Sequence, residues 1–468
     1  MYTGLVRLVI GSGLAISLSS QAMAQTPAEF SVATEGPQQL EPQHQHMNME
    51  SAGWQFMRDG VIFGMFNRQG GPRGGHEFRV PNWWMGMGTR TVGSSRLTLT
   101  AMFSLDPATV GKRGSREIFQ VGEAVDGVPL IDRQHPHDLF MQLAAVWRLP
   151  INEHTGFTIA GGPAGEAALG PVAFMHRASA AENPLAPLSH HTFDSTHIAY
   201  GVVTAAIDHG PWVLEGSLFN GREPDEQRWD FDFGALDSLS TRVWFRPNGQ
   251  WEFQASTGHL TDPEELEPGT VQRTTVSGSW FKKDDVDFTA VTVGYGVNAA
   301  HETMRHAVFG EVTRRVGSSS FFGRVEVRQS ETAVLVTGRS PRATTTAGVT
   351  IPPTCPSLVH CVEIDPLRRD AVGAITLGGV RDVFTTRGFE GGLGAAVTLY
   401  AVPDVLTATH GTHPVSFQVF FRLRPPADKM GRMWNMRMSQ PTQGHESMSR
   451  VSMPANRIDR KTAPKRHT

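Results

Sequence analysis

The stretch Val415-Ser416-Phe417-Gln418-Val419-Phe420-Phe421-Arg422-Leu423-Arg424 changes character residue by residue. Successive side chains of a strand point to opposite faces. Val415, Phe417, Val419, Phe421 and Leu423 therefore share one face, and Ser416, Gln418, Phe420, Arg422 and Arg424 the other. The same period of two returns upstream. Leu97, Leu99, Ala101 and Phe103 share a face, as do Leu239, Thr241, Val243 and Phe245. Trp251, Phe253 and Ala255 repeat the pattern, and so do Phe321, Gly323, Val325 and Val327. From Trp54 onward the chain predicts strands and no helix longer than a few turns.

Two architectures use such strands. A soluble sandwich points its polar face at bulk water and fills it freely with Lys, Thr and Glu. Here that face carries Arg, Glu, Gln and Ser, opposite Phe, Val, Leu and Trp. Short turns such as Arg246-Pro247-Asn248-Gly249-Gln250, Asp208-His209-Gly210-Pro211 and Lys282-Lys283-Asp284-Asp285 join strand pairs. Longer polar connections lie at 104–137, 162–196, 221–236, 259–271 and 330–370. Short turns at one end and long loops at the other characterise an up-and-down barrel of an outer membrane. Trp83, Trp84, Trp147, Trp212, Trp244, Trp251, Trp280 and Phe281 sit where interfacial girdles are expected. The expectation is an all-β, antiparallel transmembrane β-barrel with an even number of strands between about 12 and 16. Its partners would be outer-membrane lipid and the barrel-assembly machinery of a Gram-negative bacterium.

The ends of the chain agree with export. Residues 1–24 read as a signal peptide: Arg7 precedes the apolar run Leu8 to Leu18, and Ala22-Met23-Ala24 supplies a small-x-small cleavage pattern. Residues 25–50 read as a flexible leader, 51–425 as the barrel, and 426–468 as a basic disordered tail carrying Met430, Met433, Met436 and Met438. The net charge of −3 leaves no globally basic footprint for nucleic acid. Cys355 and Cys361 are the only cysteines, and in an oxidising compartment they read as a small disulfide.

Unusual chemistry concentrates between Asp132 and Arg242. His135, His137, Asp138, His176, His190, His191 and His197 are candidate ligands for a metal ion, copper or zinc, with Asp138 supporting one of the imidazoles. No spacing there matches a named metal motif, and a hydrogen-bonded network filling the barrel mouth is the structural alternative. His44-Gln45-His46-Met47-Asn48-Met49 adds a soft, copper-leaning ligand set in the leader. Ser189, Ser195, His190, His191, His197 and Asp194 contain every side chain of a Ser-His-Asp triad, which keeps a membrane hydrolase open. Arg133, Arg177, Glu215, Arg222, Glu223, Asp225 and Arg242 are expected to line the lumen, where opposed charges either set an ion-selective field or knit the wall shut. Passage or binding of a small solute, catalysis and a closed structural barrel all stand at this point.

Particular words of the sequence carry a resemblance. Ser104-Leu105-Asp106-Pro107, Asp132-Arg133-Gln134-His135-Pro136-His137-Asp138-Leu139-Phe140-Met141, Phe174-Met175-His176-Arg177, Asp194-Ser195-Thr196-His197 and Gly221-Arg222-Glu223-Pro224-Asp225 resemble a group of exported Gram-negative proteins. The likeness runs from about residue 60 to 280. It implies an outer-membrane barrel, and some members accompany copper or other heavy-metal resistance systems. Members carry a longer His/Met-rich leader than this chain does, and the resemblance supplies no catalytic residue.

Overall fold

The computed structural model describes residues 53–266, 269–284, 287–300, 303–338, 364–365, 367–386, 388–427 and 432–440. Residues 1–24, read above as a signal peptide, residues 25–50 with the His44 to Met49 segment, and Cys355 and Cys361 lie outside them. In chain order the strands are β1 (Gln55–Gln69), β2 (Gly75–Arg79), β3 (Asn82–Val92) and β4 (Ser95–Phe103). Two-residue strands follow: β5 (Ser115–Arg116), β6 (Ala124–Val125), β7 (Val128–Pro129) and β8 (Arg133–Gln134). Then come β9 (Phe140–Asn152), β10 (Thr155–Gly165), β11 (Ala199–His209), β12 (Trp212–Phe219), β13 (Ser238–Phe245) and β14 (Trp251–Thr261). The last are β15 (Thr270–Asp284), β16 (Asp287–Ala300), β17 (Thr303–Val316), β18 (Ser319–Glu331), β19 (Arg369–Thr385), β20 (Glu390–Ala401) and β21 (Val415–Arg424).

Long neighbours pair antiparallel, and the sheet closes where β1 meets β21, from Ile62↔Leu423 to Arg68↔Phe417. On its other edge β1 pairs first with β3 and then with β2. These two are one barrel strand interrupted at Val80-Pro81, where proline has no N–H to give the ladder. The Phe63 N–H still donates to the Pro81 carbonyl across the break, at 3.0 Å. The barrel therefore has sixteen strands, the top of the expected range.

The alternation read in the sequence is the division between lipid and lumen. Val203, Leu214, Leu239, Val293, Val325, Leu377 and Val419 point outward and are exposed. Between them, Glu215, Arg242, Arg273, Glu311, Arg324 and Arg422 point inward and are sealed from solvent. Not every aromatic belongs to a girdle. Trp147, Trp212 and Trp251 are exposed, but Trp244 and Phe281 face inward and are buried. Trp244 is held there because its indole N–H donates to Glu215 at 2.8 Å and its ring lies under the Arg437 guanidinium, 3.6 Å away.

Besides the connection 104–139, which is buried over most of 114–125, two segments occupy the lumen. The connection 166–198 turns inward from β10 and is buried almost throughout. It meets the inner faces of β12 through β18 and β21: Ser217, Arg242, Ser256, Arg273, Thr292, Glu311, Arg324 and Gln418 all bond to it. The second segment is 432–440. It was expected to be disordered, yet it folds back inside the wall from the end bearing the short turns. Arg437 pairs with Glu252, Ser439 with Glu215, and the Met433 N–H donates to Asp59 at 3.0 Å. Inward wall carboxylates, rather than local period, fix this segment in place.

Candidate functional site

The inward connections bring histidines distant in sequence together. His190 and His191 lie on the single turn of helix His190–Phe193, and His197 on the turn that follows. His135 and His137 come from the other connection, just after β8. Ring centroids stand 5.8 Å apart for His135–His191, 5.4 Å for His190–His191, 5.3 Å for His190–His197 and 5.7 Å for His137–His197. Five of the six predicted histidines thus form one chain of imidazoles. His176 lies apart from this chain, edge-on to Trp83 at 4.8 Å.

His135 and His137 do not act on a shared partner. His135 turns to His191, whereas His137 Nδ1 meets Asp106 Oδ2 at 2.9 Å. Asp106, which the sequence reading did not select, takes the supporting role expected of Asp138. Asp138 instead accepts from Arg228 at 3.2 Å, and the same guanidinium reaches Glu123 at 2.5 Å. Burial raises the Asp138 carboxyl to about 6 against the opposing pull of Arg228.

The tightest convergence joins His135, His191 and Glu223, each offering a ligand atom within 4.8 Å of the others. His135 Nδ1 faces the Pro136 carbonyl at 3.2 Å, an arrangement that leaves Nε2 as the lone-pair nitrogen. That Nε2 stands 3.3 Å from Glu123 Oε1, and His191 Nδ1 stands 3.2 Å from Glu223 Oε1. His135 Nε2, His191 Nδ1, Glu123 Oε1 and both Glu223 oxygens are buried and face one another at these distances without a well-aligned hydrogen bond. Buried polar atoms ordinarily have one. Glu264 also approaches His191 Nδ1, at 3.8 Å. The approach depends on Gly122: a Cβ there would stand 2.8 Å from His191 Cε1.

Electrostatics divides the group. Burial, reinforced by Arg228, pushes His135 well below the usual imidazole value and keeps it neutral. Burial likewise pushes Glu123 well above the usual carboxylate range. At His191 burial works downward, but Glu223 overcomes it and raises the imidazole; Glu223 in turn is held below the usual range by His191. Metal takes the neutral imidazole and the ionised carboxylate, so His135 is ready as it stands, whereas His191 must give up the proton that Glu223 favours.

The other predicted residues have different roles. His190 Nδ1 meets Asp194 Oδ1 at 2.8 Å, so a His–Asp pair is formed. Neither serine completes it. Ser189 Oγ donates to Glu326 at 2.9 Å, and Ser195 Oγ accepts from Arg273 at 3.0 Å. Of the charges expected in the lumen, Arg177, Glu215 and Arg242 are deep inside, and Glu223 belongs to the histidine group. Arg133 is half-buried against the Gly114 carbonyl. Arg222 and Asp225 are exposed, because the connection carrying them faces solvent at those positions.

Searched against protein-family models the sequence matches none, and it matches no curated protein. Solved structures do match. Pseudomonas putida OprB aligns with a TM-score of 0.50 at 10% identity, over 80% of this chain and 94% of that one. An anion-selective porin from Comamonas acidovorans aligns at 0.44 and 10% identity, over 80% and 100%. Salmonella typhi OmpF aligns at 0.43 and 6% identity, over 78% and 97%. At such identities the likeness is one of architecture. Closed ladder, outward apolar band and inward charge together make this chain a porin-like β-barrel of the Gram-negative outer membrane.

Proposed function

We propose that this barrel binds a divalent transition-metal ion inside its lumen, at His135, His191 and Glu223 with Glu123 beside them. The observation that carries this reading is the convergence of buried nitrogen and oxygen atoms from His135, His191 and Glu223, which face one another within one ligand sphere. A tetrahedral zinc site holds neighbouring ligand atoms roughly 3.3 Å apart. The His135–Glu123 and His191–Glu223 separations, 3.3 and 3.2 Å, suit that spacing. Two imidazoles with carboxylates form a borderline donor set that takes zinc or copper(II). The reading accords with the metal-resistance association of the proteins the sequence resembles.

Passage of a small solute is the second reading, favoured by the sixteen-strand barrel itself. It requires that 166–198 or 432–440 move, since the wall charges they cover are sealed.

The experiment is metal content of the refolded protein by mass spectrometry after dialysis against trace zinc or copper(II). We expect one tightly held equivalent that survives deletion of residues 25–50 and is lost in the combined His135→Ala, His191→Ala variant. Equal metal content in wild type and double variant would overturn the proposal.

A further inference from the structure

The inner wall around β1, β3, β4 and β9 is unusually rich in methionine. Met57, Met85, Met87 and Met102 are inward neighbours across the β1–β3–β4 ladder: Met57 pairs with Met87, and Met85 with Met102. Met141 of β9 joins the same cluster, as do Met175, Met433 and Met436 from the two lumen segments. Thioethers are adaptable core fillers, and most of these need no other explanation.

One place differs. A cavity of about 30 Å³ lies among wall, connection and C-terminal segment, and Met85, Met102, Met436, Met438, His176 and His197 line it. A purely apolar cavity stays empty, but this one receives two imidazoles. His197 Nδ1 meets the Asp194 carbonyl at 2.8 Å, which makes Nε2 the lone-pair nitrogen. That Nε2 is buried without a partner, and so is His176 Nδ1. Burial disfavours the charged form of both imidazoles. The volume suits a single small occupant, about one water or one ion. Water would answer the nitrogens yet leave four thioethers lining the space with nothing suited to them. Thioether and neutral imidazole together select soft, monovalent d10 cations. Thr100, Gln142, Glu166 and Arg437 also reach the cavity; Glu166 is paired with Arg242, and Arg437 gives Nη2 to Glu252 while its Nε and Nη1 are buried without partners, so the Glu166 carboxylate is what offsets that guanidinium beside a bound cation.

We infer that this cavity is a second, soft-cation site, taking copper(I) or silver(I) between His176, His197 and the lining methionines. It is separate in residues and in ligand class from the site proposed above. Two of its methionines belong to the C-terminal segment, so an ion held there would also fasten that segment to the wall.

Silver(I) is the probe, because it needs no reductant. The full chain in detergent is titrated against a competing thioether chelator, alongside Met85→Leu/Met102→Leu and Met436→Leu/Met438→Leu, two isosteric pairs on different elements. Heat-modifiable migration in gels checks that each variant is folded. We expect each pair to lose one silver equivalent, or to weaken it by about tenfold or more. Zinc binding should stay intact in both. His135→Ala/His191→Ala should retain the silver equivalent, so failure of either site is visible without the other. Unchanged silver binding in both methionine pairs would overturn the inference and leave the cavity a water site. Silver lost equally from the His135/His191 variant would overturn it too, by placing the ion in the first site.

Discussion

Arg177 shows what a single side chain does in this lumen. Its guanidinium donates to Glu311 at 3.0 and 3.1 Å, to Asp194 at 2.7 Å and to the Val172 carbonyl at 2.7 Å, and it lies over the Phe309 ring. Removing one partner of such a buried group leaves the others charged and unanswered, at a cost of roughly 3–5 kcal/mol. Arg177→Met should therefore destabilise the folded barrel by about that amount in urea titrations. A loss under about 1 kcal/mol would mean that water reaches the pair. Glu182 gives the pH counterpart. Burial alone would raise its carboxyl, but Arg422, Arg424 and Arg432 together hold it below the usual carboxylate range. A carboxyl whose folded value is depressed contributes stability that is complete above the unfolded value and is lost as pH falls through the folded one. Amide exchange around Glu182, corrected for intrinsic rates, should stay protected as pH drops through the ordinary glutamate value and open only in stronger acid. Opening between about pH 5 and 4 would contradict this pairing. The residues of the site were legible only by type. Histidine density marked the right connections; Asp106 and Glu123 fall in the words Ser104-Leu105-Asp106-Pro107 and Gly122-Glu123-Ala124-Val125-Asp126-Gly127, which carry the resemblance but gave them no role, and the relevance of Glu264 comes from long-range folding.

At the level of the strand, alternation was legible because lipid and lumen impose opposite chemistry on successive residues. β21 is the clearest case: Val419 is exposed outward, whereas Gln418 and Phe420 on either side of it are buried. Val419→Arg should impair assembly by roughly 2–4 kcal/mol if the position lies near the bilayer midplane, as should Val243→Arg. Assembly yield in lipid vesicles measures this, and normal yield of both variants would place the lipid face elsewhere. The break between β2 and β3 could be anticipated from Pro81, but not that the two halves would remain on the same edge of β1. Residues 432–440 were illegible for a physical reason. They have no period, and their order comes from partners such as Asp59, Glu252 and Glu215, nearly two hundred residues or more away in sequence.

For the molecule as a whole, the question is whether the wall or its contents set permeability. The inward charges resemble the lining of a conducting lumen only in the sequence; in the fold they pair with 166–198, with 432–440 or with one another. The first segment is tied to wall strands on many sides and continues at both ends into β10 and β11. The second follows β21 and enters through the end of the short turns, and no wall strand follows it among the described residues. It is the more easily withdrawn of the two. Truncation after Pro426 removes the Arg437–Glu252 and Ser439–Glu215 contacts while leaving Arg246 and Arg242 to answer those carboxylates. The wall should still close. In planar bilayers we expect the full chain to show little steady conductance and the truncated chain to show frequent, cation-dependent openings. If truncation changes nothing, the seal belongs to 166–198 together with the buried part of 104–139. If the full chain already conducts freely, the lumen segments are displaced in the membrane, and passage of solute becomes the first reading of this barrel in place of metal binding.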